Sequence, residues 1–232
     1  MKKITFIDTE VAVEDKKAYD YGAINEIYEK IHTGKASKFN EFISDSEYLC
    51  GHNIVNHDSQ YIEVSSSVQL IDTLYLSPLM FPNKPYHKLL KDDKLQSDEL
   101  NNPLNDAEKA MNLFYDEVNA FRELDDKLKL IYYLLLKDSR YFSGFFSYVD
   151  YSENDDIETS ILSYFADKLC VNAPLCRYIK ESPIELAYCL ALISATEQYS
   201  LIPRWVIMNY PKVDRIIKEL RSTSCGCCDY CK

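Results

Sequence analysis

Ile4-Thr5-Phe6-Ile7-Asp8-Thr9-Glu10 alternates as a β-strand does, with Ile4, Phe6, Asp8 and Glu10 on one face and Thr5, Ile7 and Thr9 on the other. Apolar residues on both faces predict a strand in the middle of a sheet. Residues two apart on a strand point the same way, so Asp8 and Glu10 project together from its end. Two neighbouring carboxylates repel unless cations lie between them. Mg²⁺ and Mn²⁺, hard ions that prefer oxygen ligands, are the natural occupants. Alone, Asp-x-Glu after a strand is commonly just a solvated strand end, so the motif gains weight only in company.

Strand and helix signals alternate downstream. Extended segments are expected over 18–24, 27–32, 47–51 and 68–71, and helices over 37–43, 54–62, 87–95 and 104–121. The last of these carries Leu104, Ala107, Met111, Phe114, Val118 and Phe121 at helical spacing. Asn102-Pro103 is its start signal, a capping side chain followed by proline in the first turn. From Leu124 the alternation stops, and helices are expected over 127–136, 157–169, 183–196 and 212–220, with an acidic loop over 147–156. The expected organisation is an α/β domain over 1–123, an all-α extension over 124–221 and a Cys-rich tail over 222–232.

Two further carboxylates belong with the first pair. In Glu47-Tyr48-Leu49-Cys50-Gly51-His52-Asn53 a strand ends at Gly51 and Asn53 turns the chain, so the next helix presents Asp58 about one turn in. Asn101-Asn102-Pro103-Leu104-Asn105-Asp106-Ala107 places Asp106 in the first turn of a helix, beside its apolar stripe. Each has a bland reading as well: Asp58 facing water, and Asp106 complementing the helix dipole.

In order and spacing these three features resemble the DnaQ-like (DEDD) 3′–5′ exonuclease family, a branch of the ribonuclease H-like fold. Asp8 and Glu10 match its first motif, Gly51, His52, Asn53 and Asp58 its second, and Asp106 and Ala107 its third. Tyr21-Gly22-Ala23-Ile24 is similar to its second strand, and His87-Lys88-Leu89-Leu90 to the helix leading into its third motif. The resemblance covers residues 3–122. It implies a mixed sheet flanked by helices, with Asp8, Glu10, Asp58 and Asp106 holding two Mg²⁺ or Mn²⁺ ions ~4 Å apart. One ion would activate the attacking water and the other would stabilise the leaving 3′ oxygen. The implied substrate is a single-stranded or 3′-ended nucleic acid, DNA favoured, with the terminal nucleotide packed near Val11. The implied product is a nucleoside monophosphate. Because such domains often adjoin helicases or polymerases, a helicase in the same polypeptide or complex is an expected partner, although these residues contain no helicase motif.

The chain departs from the family at the proton acceptor. One branch has a histidine five residues before the last aspartate and the other a tyrosine four before it; here those positions are Asn101 and Asn102. Asparagine orients a water but cannot take its proton near neutral pH. Three explanations stay open. The ion alone suffices, because a bound divalent cation lowers the pKa of its water. His87 reaches the site from the preceding helix. Or the domain is catalytically silent, and binds nucleic acid or docks on a helicase. His52 and His57 are expected to be structural.

Cysteine usage divides in two. Cys50, Cys170, Cys176 and Cys189 stand in apolar stretches and read as buried small hydrophobes. Cys225, Cys227, Cys228 and Cys231 crowd the end of the chain in Cys-x-x-Cys pairs suited to Zn²⁺. Four thiolates packed so tightly rarely close one tetrahedral site, so a half-site completed by another segment or chain is equally open. Lys212, Arg215, Lys218 and Arg221 recur every three residues and read first as a solvated helix face.

Composition bounds the rest. An apolar fraction of 47% is enough for a sizeable core, and a net charge of −11 argues against a protein that only coats nucleic acid. Five glycines leave little from which to build Gly-rich phosphate loops. With no apolar run of ~18 residues and an N-terminus that enters a strand at once, no membrane association and a cytoplasmic location are expected.

Overall fold

The computed structural model describes residues 2–12, 14, 16–84, 102–195 and 202–232. The predicted helix over 87–95 therefore lies outside the described residues. Among those described, the chain is α/β, with one five-stranded mixed sheet in the order β3-β2-β1-β4-β5. The strands are β1 (Ile4–Val11), β2 (Ala18–Asn25), β3 (Lys30–Thr33), β4 (Tyr48–Gly51) and β5 (Gln69–Asp72). The expected central strand is β1, antiparallel to β2 and parallel to β4. β3 is shorter than the expected 27–32, because residues 26 and 27 are spent on the turn that reverses the chain after β2.

The two faces of β1 bury different partners. Ile7 joins Tyr21, Ala23, Leu49, Ile54 and Val55, together with Phe39 and Ile43 of α1 (Ala36–Ile43). On the opposite face Phe6 meets Phe114 and Tyr115 of α3 (Pro103–Glu123) at ring centroid distances of 5.6 and 5.7 Å. Strand parity puts Asp8 and Glu10 on the Phe6 face, so the helix that covers the core also reaches the carboxylates. Short α2 (Thr73–Met80) and α5 (Ser143–Tyr148) escaped the sequence reading, and α5 begins close to β5, with Gly144 against the Leu70 carbonyl.

The described residues divide into two compact units, which do not follow chain order. The first holds the sheet and comprises described residues of 1–76, 88–119 and 139–150; the second takes those of 77–87, 120–138 and 151–232. Within the second, α8 (Pro183–Ser194) is buried almost all round, as its apolar composition predicts. Packed against it are α4 (Asp126–Leu136), α7 (Leu175–Glu181) and α10 (Lys212–Ser222). α6 (Ile157–Tyr164) stops five residues before the expected end at 169, and α9 (Arg204–Asn209) completes the set. Asp125 and Asp156 cap α4 and α6, each accepting a backbone N–H in the first turn.

Candidate metal centre

Carboxylate oxygens of Asp8, Glu10 and Asp106 all lie within 4.8 Å of one another. Strand parity supplies the first two, and the start of α3 supplies the third. Asn102 caps that helix as expected, its Oδ1 accepting the N–H of Leu104 at 3.0 Å and of Asn105 at 3.4 Å. What brings the helix start onto the sheet is Gly22, the register partner of Asp8. A Cβ on Gly22 would lie 2.1 Å from Leu104 N and 2.2 Å from the Pro103 carbonyl carbon. Only glycine allows that approach.

Asp58 is delivered differently from the expectation. In place of an α-helix over 54–62, the chain makes a series of turns and one 3₁₀ turn, Asp58–Gln60. Asp58 is buried, and its Oδ1 accepts both the backbone N–H of Thr9 at 2.9 Å and the Thr9 hydroxyl at 2.8 Å. It is not one of the three mutually close carboxylates. The reason is again parity: the Thr9 side chain points to the face opposite Asp8 and Glu10. The register of β4 against β1 runs only to Phe6↔Cys50, so Asp58 supplies the acceptor that a longer β4 would have offered to Thr9.

Asp72, which the sequence reading passed over, holds this loop in shape. It ends β5 opposite Gly51, is fully buried, and accepts the N–H groups of Asn53, Val55 and Leu74 at 2.9, 3.1 and 3.1 Å. Burial raises its carboxyl from 3.8 to about 7 in spite of those donors. Asn53 turns the chain as predicted, in the left-handed region at φ 73°. His52 bonds Thr73 Oγ1 through Nδ1 at 2.9 Å, a structural part as expected. Asn56 ties the loop to Tyr75, Arg140 and Tyr141.

Two basic side chains border the acids. Lys109 Nζ lies 3.3 Å from Asp106 Oδ1, one turn along α3. His57 Nδ1 lies 3.5 Å from Asp58 Oδ1. The hydrogen bond to Asp58 is the main reason the His57 pKa is raised, and the charges of Asp58 and Glu10 add to it against the cost of burial. His57 thus feels the acidic group electrostatically, which its expected structural role did not anticipate. Neither His87 nor Asn101 falls within the described residues. Asn102 does, and its side-chain oxygen is committed to capping.

A second group is built from cysteines. Sγ atoms of Cys170, Cys225, Cys228 and Cys231 lie within 4.8 Å of one another. This revises the sequence reading at three cysteines. Cys227 touches Cys225 at 3.4 Å but is exposed and outside the mutually close set. Cys170, expected to be a plain buried hydrophobe, is buried but turns its sulfur to the tail. Cys176, also expected to be buried, is exposed on α7. Along α10, Lys218 pairs with Asp214 at 2.6 Å, in keeping with a solvated face.

No family model matches the chain, and no curated protein or solved structure matches it. Its chemistry is therefore read from these two groups. Three convergent carboxylates offer hard oxygen ligands, and four convergent thiols offer soft sulfur ligands. Among the described residues no helix is long and apolar enough to cross a membrane.

Proposed function

We propose that this chain is a metal-dependent 3′–5′ exonuclease of the DnaQ-like kind, on a ribonuclease H-like sheet. The observation that carries the reading is the convergence of Asp8, Glu10 and Asp106, from distant parts of the sequence, to within 4.8 Å. Like charges so close favour cations beside them, of which the Lys109 ammonium, 3.3 Å from Asp106, is one, and an all-carboxylate donor set fits Mg²⁺ or Mn²⁺. Asp8, Glu10 and Asp106 hold the ions. Thr9 fixes Asp58 through one of its oxygens, and Asp58 stays outside the three converging carboxylates. When bound, the ions supply Lewis acidity at the scissile phosphate and lower the pKa of water. The family's histidine and tyrosine are missing from this chain.

The second reading is a catalytically silent nucleic-acid-binding or helicase-docking module. Asn102 favours it: at the position of the family's tyrosine, its side chain is taken up by two backbone N–H groups of α3.

Digestion of a 5′-labelled single strand in Mg²⁺ or Mn²⁺ separates the two. The exonuclease reading predicts a ladder shortening from the 3′ end that Asp8→Ala abolishes. Intact DNA and RNA after incubation with folded protein in either ion would leave the silent module.

A further inference from the structure

We propose that Cys170, Cys225, Cys228 and Cys231 form a tetrathiolate zinc site that fastens the C-terminal tail to the turn after α6, and that Cys227 takes no part in it. The inference is independent of the nuclease reading and uses none of its residues.

The sulfur spacing fits one ion. A Zn–S bond of ~2.3 Å puts the corners of a tetrahedron ~3.8 Å apart. The Cys228–Cys231 and Cys225–Cys231 sulfurs are 3.4 and 4.0 Å apart, and all four cysteines are free thiols. Zn²⁺ has no geometric preference of its own beyond four ligands, and a closed structural site needs four from the protein. The tail alone gives three in mutual reach. The fourth comes from a residue far earlier in the chain.

The backbone is arranged for thiolates. The N–H of Asn172 points to Cys170 Sγ at 3.4 Å, that of Cys228 to Cys225 Sγ at 3.3 Å, and that of Cys225 to Cys231 Sγ at 3.4 Å. N–H donors stabilise the charge a metal-bound sulfur carries and fix its direction. Gly226 makes this turn possible: its φ of +72° is one that side-chain-bearing residues rarely adopt. A buried thiol among purely apolar neighbours has no need of these donors. The 3₁₀ turn Asp229–Cys231 then returns the chain so that Tyr230 donates its hydroxyl to the Arg221 carbonyl at 2.7 Å.

The test uses the full chain purified without chelator. Elemental analysis should find one zinc per chain in wild type and in Cys227→Ser. Replacement by Co²⁺ should give both proteins the sulfur-to-cobalt charge-transfer bands of four thiolates. Cys170→Ser should weaken zinc binding by more than the ~10–100-fold that loss of an outer-shell partner costs. Since Cys170 is buried and its variant can misfold, alkylation of wild type followed by mass spectrometry gives a second readout. Cys227 and Cys176 should react with or without chelator, and Cys225, Cys228 and Cys231 only after chelation. Wild type without zinc, iron in its place, or protection of Cys227 along with its neighbours would overturn the proposal. So would a folded Cys170→Ser that binds zinc as wild type does.

Discussion

Thr9 gives its backbone N–H and its hydroxyl to the same oxygen of Asp58, at 2.9 and 2.8 Å. The residue lies between Asp8 and Glu10 in sequence but faces the other way. One strand therefore presents two carboxylates on one side and anchors a third acid from the other.

Thr9→Val tests that anchor, since it keeps the shape and removes the hydroxyl. A hydrogen bond to a charged group is worth about 1.5–3 kcal/mol, and the loss should be near that range because Asp58 is buried. Denaturant unfolding with and without Mg²⁺ measures it. No loss of stability would show that the backbone N–H alone holds Asp58.

Neutralising one carboxylate should matter more with metal than without it. In chelator, Glu10→Gln removes repulsion from Asp8 and Asp106 together with the attraction of His57, so stability should change by less than about 1 kcal/mol, a Tm change below about 2–4 °C. In Mn²⁺ the variant should lose the stabilisation that ligand binding gives wild type. Thermal melts in both conditions decide. Equal melting shifts in Mn²⁺ for the two proteins would remove Glu10 from the ligand set.

Gly22→Ala should damage the site without touching an acid. The added Cβ meets the backbone of Pro103 and Leu104 at little more than 2 Å, so the start of α3 must move. Overpacking of this kind costs about 1–3 kcal/mol or more. Asp106 should move with the helix, so Mn²⁺ affinity measured by titration should fall. Unchanged affinity in a folded variant would separate Asp106 from the metal.

Asp72 predicts a pH dependence. Its carboxyl is raised to about 7 by burial, against 3.8 in the open chain, so the folded state keeps a proton that the unfolded chain releases in between. The contribution is complete below the unfolded value and is lost as pH rises through about 7. Asp72→Asn should flatten stability across that window by up to about 4 kcal/mol, read from urea melts at several pH values. An identical slope in the variant would assign the pH dependence to another group.

The parts of the fold legible in sequence were those fixed by local rules. Alternation placed β1 and paired Asp8 with Glu10, and Asn102-Pro103 announced the start of α3 and the place of Asp106. The short helices α2, α5, α7 and α9 gave no periodicity to read. Asp58 was expected on a helix as a fourth ligand; it stands instead in a loop shaped by Asp72, an acceptor many residues downstream, and outside the three converging carboxylates. Cys170 could not be distinguished from Cys50 or Cys189 by its neighbours. Only the path of the whole helical unit brings it to the tail.

Register in β1 has a consequence for how this chain tolerates change. Side chains at Ile4 or Phe6 can be altered by degrees, each substitution loosening the core a little. Deleting a single residue ahead of Asp8 is different in kind, for it turns every following side chain to the other face. Both acids would enter the apolar layer around Phe39, and Thr9 would face α3. The irregularity between Glu10 and Val11 marks where that strict pairing with β2 ends. Length variation among descendants of this sequence should therefore collect beyond that point, in the turn toward β2, and be absent before it.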